Sequence, residues 1–103
     1  MAIDCTVEVR RDKRPTIRFV AENTGTDPID LDFTDGQTIE VVVERDGAEQ
    51  WRYSDGQLFT QALRTETLQP GERLVETVSE VSLPEGTVRA WLCTADTDCT
   101  ATA

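Results

Sequence analysis

Twenty carboxylates, three cysteines and no histidine decide what chemistry this 103-residue chain could perform. Without histidine there is no Ser-His or Cys-His pair to activate a nucleophile, and the single lysine, Lys13, sits in a charged turn. Carboxylate pairs could do acid–base work, but the acids are spread along the whole chain rather than gathered. So short a chain also leaves little room for a deep cleft, and it reads as non-enzymatic. Metal binding would draw on Asp27, Asp30, Asp32, Asp35, Asp96 and Asp98, of which Asp30 and Asp32 share a strand face. No glycine-containing calcium loop frames them. A hydrated acidic face is the expectation, with no metal and no cofactor.

The cysteines leave two readings open. Cys93 and Cys99 have five residues between them, which is not a zinc knuckle, and no histidine supplies a fourth ligand. A Cys93–Cys99 disulfide would close a terminal hairpin if the loop set the two opposite each other. A reducing cytosol favours free thiols instead. Cys5 shares parity with Ile3 and Val7 and reads as a small core residue.

Charge sets the surface. Ten Asp and ten Glu face nine Arg and one Lys, a net of −10. Residues 1–20 hold five bases and three acids, a net of +2, while residues 21–103 hold seventeen acids and five bases, a net of −12. Such a chain repels nucleic acid and anionic lipid, so neither is an expected partner. Scarce lysine, fifteen Thr and dense acids match a salt-adapted cytosol. There a Debye length of about 3 Å at 1 M salt lets neighbouring carboxylates coexist. The basic run Arg10-Arg11-Asp12-Lys13-Arg14 reads as a solvated turn. No apolar run approaches the roughly 18 residues of a membrane span. The segment MAIDCTVEVRRDKR lacks an apolar signal stretch. A soluble, cytoplasmic, monomeric protein is expected.

The elements that must position any site are strands, because the period is two throughout. Ile3, Cys5, Val7 and Val9 alternate with polar residues, as do Ile17, Phe19 and Ala21, and Ile29, Leu31 and Phe33. Further strands are predicted over Thr38–Glu44, Gln50–Tyr53, Thr65–Leu68, Arg73–Val81 and Thr87–Thr94. Asp46-Gly47 marks a hairpin and Pro70-Gly71 a type II turn. Ser54–Leu63 is irregular and reads as an ordered crossover. Seven or eight short strands, with turns about every eight to twelve residues, predict one all-β domain over 1–103, an antiparallel sandwich. Val88, Ala90 and Leu92 share the inward face, which leaves Trp91 on the outer one.

Several segments occur in the order and spacing of one family: Asp35-Gly36-Gln37, Gln50-Trp51-Arg52-Tyr53-Ser54, Phe59-Thr60-Gln61-Ala62-Leu63 and Leu68-Gln69-Pro70-Gly71-Glu72. With Leu83-Pro84-Glu85-Gly86 and Ala90-Trp91-Leu92, the chain resembles the BsuPI domain, named for an intracellular proteinase inhibitor of bacilli. Val88 departs from the aromatic expected in the last strand, and the cysteine-bearing tail is not a family feature. The resemblance implies an immunoglobulin-like β-sandwich, non-enzymatic, with serine proteinase inhibition as its activity. Physics gives the motif residues Gly36, Gln37, Trp51, Tyr53, Ser54, Phe59, Pro70, Gly71 and Glu72 structural work. Trp51 and Tyr53 would cover one face, Gly36 and Gly56 would take positive φ, and Phe59 would plug the crossover onto the sandwich.

An inhibitor needs an exposed extended segment that lies in a protease cleft. Arg45–Glu49 and Ser54–Leu63 are the two candidates. Leu58, with Gln57 beside it, is the candidate contact, since leucine suits the apolar pocket of a subtilisin-like serine protease. A generic immunoglobulin-like interaction module without inhibitory activity is the competing reading.

Overall fold

Alternation carries through to the structure, a computed structural model that describes residues 2–80 and 82–103. Met1 and Val81 are outside the described residues, so the end predicted at Val81 for one strand falls there too. Among the described residues the strands are β1 (Ile3–Arg10), β2 (Thr16–Asn23), β3 (Ile29–Phe33), β4 (Ile39–Arg45), β5 (Ala48–Arg52), β6 (Arg64–Leu68), β7 (Arg73–Ser79), β8 (Thr87–Leu92) and β9 (Thr100–Thr102). All pairings are antiparallel. They give a three-stranded sheet β1-β2-β7, a ribbon β3-β6 and a four-stranded sheet β5-β4-β8-β9.

Register puts like with like. Cys5, Val7 and Val9 lie opposite Ala21, Phe19 and Ile17, and Ile17 lies opposite Val78 on β7. In the larger sheet Ile39, Val41 and Val43 face Leu92, Ala90 and Val88. These rows join Ile29, Leu31, Phe33 and Leu68 of the ribbon in one hydrophobic core, with Trp51 and Tyr53 packed against it. The molecule is an all-β antiparallel sandwich, as the periodicity predicts, and immunoglobulin-like, as the resemblance implies.

Turn chemistry closes the hairpins. Asp46 and Gly47 both take positive φ, 53° and 79°, the requirement of a two-residue hairpin turn. Gly71 has φ 84° and the Glu72 N–H donates to the Gln69 carbonyl at 2.9 Å, as a type II turn at Pro70-Gly71 demands. At the end of β2 the buried Asn23 joins three segments. Its side-chain amide donates to the carbonyls of Asp27 and Leu68 at 2.8 and 2.9 Å, and its Oδ1 accepts from the Gly25 N–H at 2.9 Å.

The structure departs from expectation at the C-terminus. Thr100-Ala101-Thr102 carries no strand signal of its own, yet Ala101 pairs with Ala90, and the Val88 and Ala103 backbones exchange hydrogen bonds of 2.8 Å. Cys5 is not a free core thiol, and Cys99 does not bridge to Cys93. Cys5 and Cys99 form a disulfide, with Cα atoms 5.8 Å apart across 94 residues of sequence, and Cys93 is free. The reason is topological. β1 lies beside β8 and β9, so its inward cysteine meets the residue leading into β9, whereas Cys93 follows β8 with its N–H on the Thr38 carbonyl at 2.9 Å.

Reduction removes a constraint on nearly the whole chain. Chain-entropy reasoning gives a loss of about 4–5 kcal/mol for so long a loop. Urea unfolding with and without reductant is expected to show that drop in wild type and none in a Cys5→Ser variant. Equal midpoints in wild type would mean that the bridge does not form.

Candidate functional site

Between β5 and β6 the chain leaves the sheet, and local chemistry explains how. Ser54-Asp55-Gly56-Gln57 turns back on itself, with the Asp55 N–H on the Arg52 carbonyl at 3.2 Å and the Gln57 N–H on the Ser54 carbonyl at 3.1 Å. Gly56 takes φ 77°, which fits its predicted role. Residues 57–63 then run without a ladder partner of their own, and Leu58 is 98% exposed at the start of that stretch. Gln57 beside it is exposed, and Leu63 at the far end is 80% exposed.

Both flanks of Leu58 are rooted. On the near side the Tyr53 N–H donates to the Val41 carbonyl at 2.9 Å. On the far side the half-buried Phe59 sets its ring edge-on to Tyr53, with centroids 6.1 Å apart. The Gly36 N–H then donates to the Thr60 carbonyl at 2.7 Å. Gly36 does not take the positive φ predicted for it. It is glycine because the crossover lies against it: a Cβ there would stand 2.6 Å from Thr60 Oγ1. At the exit, the Arg64 guanidinium bonds the Thr38 hydroxyl and stacks 4.4 Å over the Phe33 ring.

Of the motif residues, Gly36, Gln37, Tyr53, Ser54 and Phe59 meet at the base of the crossover. Trp51 lies on the inner face beside Val43, packed against the core. Pro70, Gly71 and Glu72 sit apart at the other end of β6, where Glu72 Oε1 accepts from the Gln69 N–H at 2.7 Å.

The residue that sequence reasoning missed is Glu40, only 6% exposed. Its Oε1 accepts the N–H groups of Val41 and Ser54 at 3.1 and 3.2 Å. Its Oε2 accepts from Gln37 Nε2 at 3.2 Å and lies 3.4 Å from the Arg52 guanidinium. Burial pushes this carboxyl up, but hydrogen bonds from Ser54, Gln37 and the Val41 amide outweigh burial and hold it below the ordinary 4.5. A signal was there. Ile39-Glu40-Val41-Val42-Val43 breaks alternation, so Val42 shares the outward parity of Glu40 and that face has to be covered. Val42 lies between Arg52 and Arg89 in register and is fully buried, and both guanidiniums reach the half-buried Trp91, at 6.0 and 5.2 Å. Trp91 is therefore on the outer face, as predicted, beneath two arginines.

The remaining polar groups have local work. Asp30 and Asp32 accept from the Thr67 and Thr65 hydroxyls, and Asp96 accepts from the Asp32 N–H at 2.7 Å. Among the described residues no three His, Cys, Asp or Glu side chains converge as metal ligands. In the basic turn, Arg11 donates to the carbonyls of Leu83 and Pro84 at 3.2 and 2.9 Å and so holds the β7–β8 connection.

An immunoglobulin-like sandwich whose β5–β6 crossover leaves Leu58 and Leu63 exposed is a small β domain with an apolar loop at its surface. Its sequence goes further: residues 2–96 match the family BsuPI, described as intracellular proteinase inhibitor, and the chain belongs to that family. No curated protein matches the chain. Among solved structures it is similar to the beta-glucosidase from Kluyveromyces marxianus in complex with glucose, at 9% identity and a TM-score of 0.46. That likeness covers 98% of this chain and 13% of the other, and at such values it says nothing about activity.

Two outcomes follow from the ionisation here. Burial, helped by the charges of Glu40 and Asp35, raises the Cys93 thiol from 9.0 to about 11. The native protein should therefore be alkylated by iodoacetamide at pH 8 about 100-fold more slowly than the unfolded chain, since thiolate is the reactive form. Glu40, with its pKa depressed on folding, stabilises the fold above 4.5, and that contribution is lost as pH falls through the lower folded value. The stability difference between wild type and Glu40→Gln should be flat well above pH 4.5 and shrink below it in urea titrations.

Proposed function

We propose that this protein is a cytoplasmic, non-enzymatic inhibitor of a subtilisin-like serine protease, acting as a monomer through the crossover Ser54–Leu63. Leu58 enters the primary apolar pocket of the protease and Gln57 lies beside it in the cleft. Family membership supports the inhibitor reading. The observation that carries the choice of loop is Leu58, 98% exposed between two rooted flanks. An exposed leucine on a loose loop would be a substrate. On a held loop it loses little entropy on binding. The rival loop, Arg45–Glu49, is a tight polar hairpin tip whose one apolar side chain, Ala48, is too small to fill such a pocket. The acidic surface, with a net charge of −10, suits a salt-rich cytosol, where screening leaves shape and apolar contact to do the binding.

The test is titration of a salt-tolerant subtilisin-like protease in concentrated KCl, with folding followed by Trp fluorescence. Stoichiometric loss of activity is expected. Leu58→Asp should weaken inhibition by roughly 30-fold or more, the effect of removing an anchor worth at least about 2 kcal/mol, with the fold intact. Full inhibition by folded Leu58→Asp would remove this loop. No inhibition by wild type would leave an interaction module without inhibitory activity.

A further inference from the structure

We infer that Glu40 is the positioning residue of this loop: one buried carboxylate clamps both flanks of Leu58. The inference rests on the reading of Ser54–Leu63 as the inhibitory segment. From Oε1 the near flank is held directly, through the Ser54 N–H at 3.2 Å. From Oε2 the far flank is held in relay. Gln37 Nε2 donates to Oε2 at 3.2 Å and to the Ile39 carbonyl at 3.0 Å, which fixes the Asp35–Gln37 turn. The Gln37 N–H donates to Asp35 Oδ1 at 2.8 Å in that turn, and the Gly36 N–H reaches the Thr60 carbonyl at 2.7 Å. Leu58 stands between these two anchors.

The chemistry needs a carboxylate. Both oxygens of Glu40 accept only, and each faces two donors: backbone N–H groups at Oε1, side-chain nitrogens at Oε2. Glutamine has the same shape, but either orientation points an NH₂ group at a pair of donors. A buried carboxylate adds little net stability when paired. What it supplies here is a single arrangement of the connections that meet on it. A loop so held presents one conformation to the protease and keeps it after binding, which is what separates slow turnover from rapid cleavage.

The experiment compares wild type, Glu40→Gln, Gln37→Ala and Val88→Ala, the last a core truncation on β8, opposite Val43, that controls for general destabilisation. Amide hydrogen exchange is read in the free proteins, and inhibition and loop cleavage are read with subtilisin. In Glu40→Gln the Ser54 and Gly36 amides should exchange at least about tenfold faster, the size expected for lost charge-assisted hydrogen bonds, while amides of β2 stay protected. The same variant should be cut between Gln57 and Thr60 at least about tenfold faster than wild type, by the same reasoning. In Gln37→Ala only the Gly36 amide should loosen. Val88→Ala should lower stability without either change. Wild-type exchange at Ser54 and Gly36 in folded Glu40→Gln overturns the clamp. Faster exchange with unchanged cleavage and inhibition overturns its role in inhibition. A wild type that does not inhibit overturns the inhibitor reading, and the exchange data then decide the clamp independently.

Discussion

A carboxylate taken out of water needs partners on both oxygens, and in this molecule the partners of Glu40 are the connections themselves. Removing an ion of this size from solvent costs several kcal/mol even after relaxation, so Glu40 is tolerable only with the Val41 and Ser54 amides, Gln37 and Arg52 all in place. That requirement propagates. Gln37 can reach Oε2 only if the Asp35–Gln37 turn is formed, and that turn brings Gly36 under Thr60. Asn23 does the same work at the end of β2, tying the Gly25–Asp27 turn to the end of β6. Glu40 and Asn23 are the buried polar side chains among the described residues, and each sits where chain without a ladder has to be held.

The core supplies the stability and the polar anchors supply the shape. Burial of Phe19, Phe33, Ile17 and Leu31 drives collapse without regard to direction. Any register that buried the same rows would do nearly as well, were it not for the parity of each strand and the turns between them. The crossover is different, because its exposed half buries almost nothing. Leu58 gives nothing to folding where it stands, and its flanks are set by hydrogen bonds, the Phe59–Tyr53 contact and the lack of a side chain at Gly36. A sandwich hosts many activities, so the fold alone does not assign one.

Two kinds of cysteine coexist in the chain. The Cys5–Cys99 bridge joins the first strand to the last and so closes nearly the whole sequence into a loop. Cys93, a few residues away in sequence, is half-buried near two carboxylates that disfavour its thiolate. Tertiary proximity permits this pair, since β1 and the lead into β9 lie side by side where the sheets pack.

The features legible along the chain are those of short range. Period-two alternation marks the inward rows Ile17-Phe19-Ala21, Ile29-Leu31-Phe33 and Val88-Ala90-Leu92, because neighbouring side chains on a strand point to opposite faces whatever lies beyond them. Asp46-Gly47 and Pro70-Gly71 mark turns because backbone sterics act within a few residues. The ordered motifs carry the family for the same reason of local pattern. Long-range packing set the rest: Cys5 meets Cys99, Thr100–Thr102 is a strand, Gly36 is glycine to admit Thr60, and Glu40 is buried. Each of these depends on which distant segment becomes the neighbour. That choice is made by packing whole sheets together, and beyond the broken alternation at Glu40-Val41-Val42 it leaves no signature in the spacing of residues along one strand.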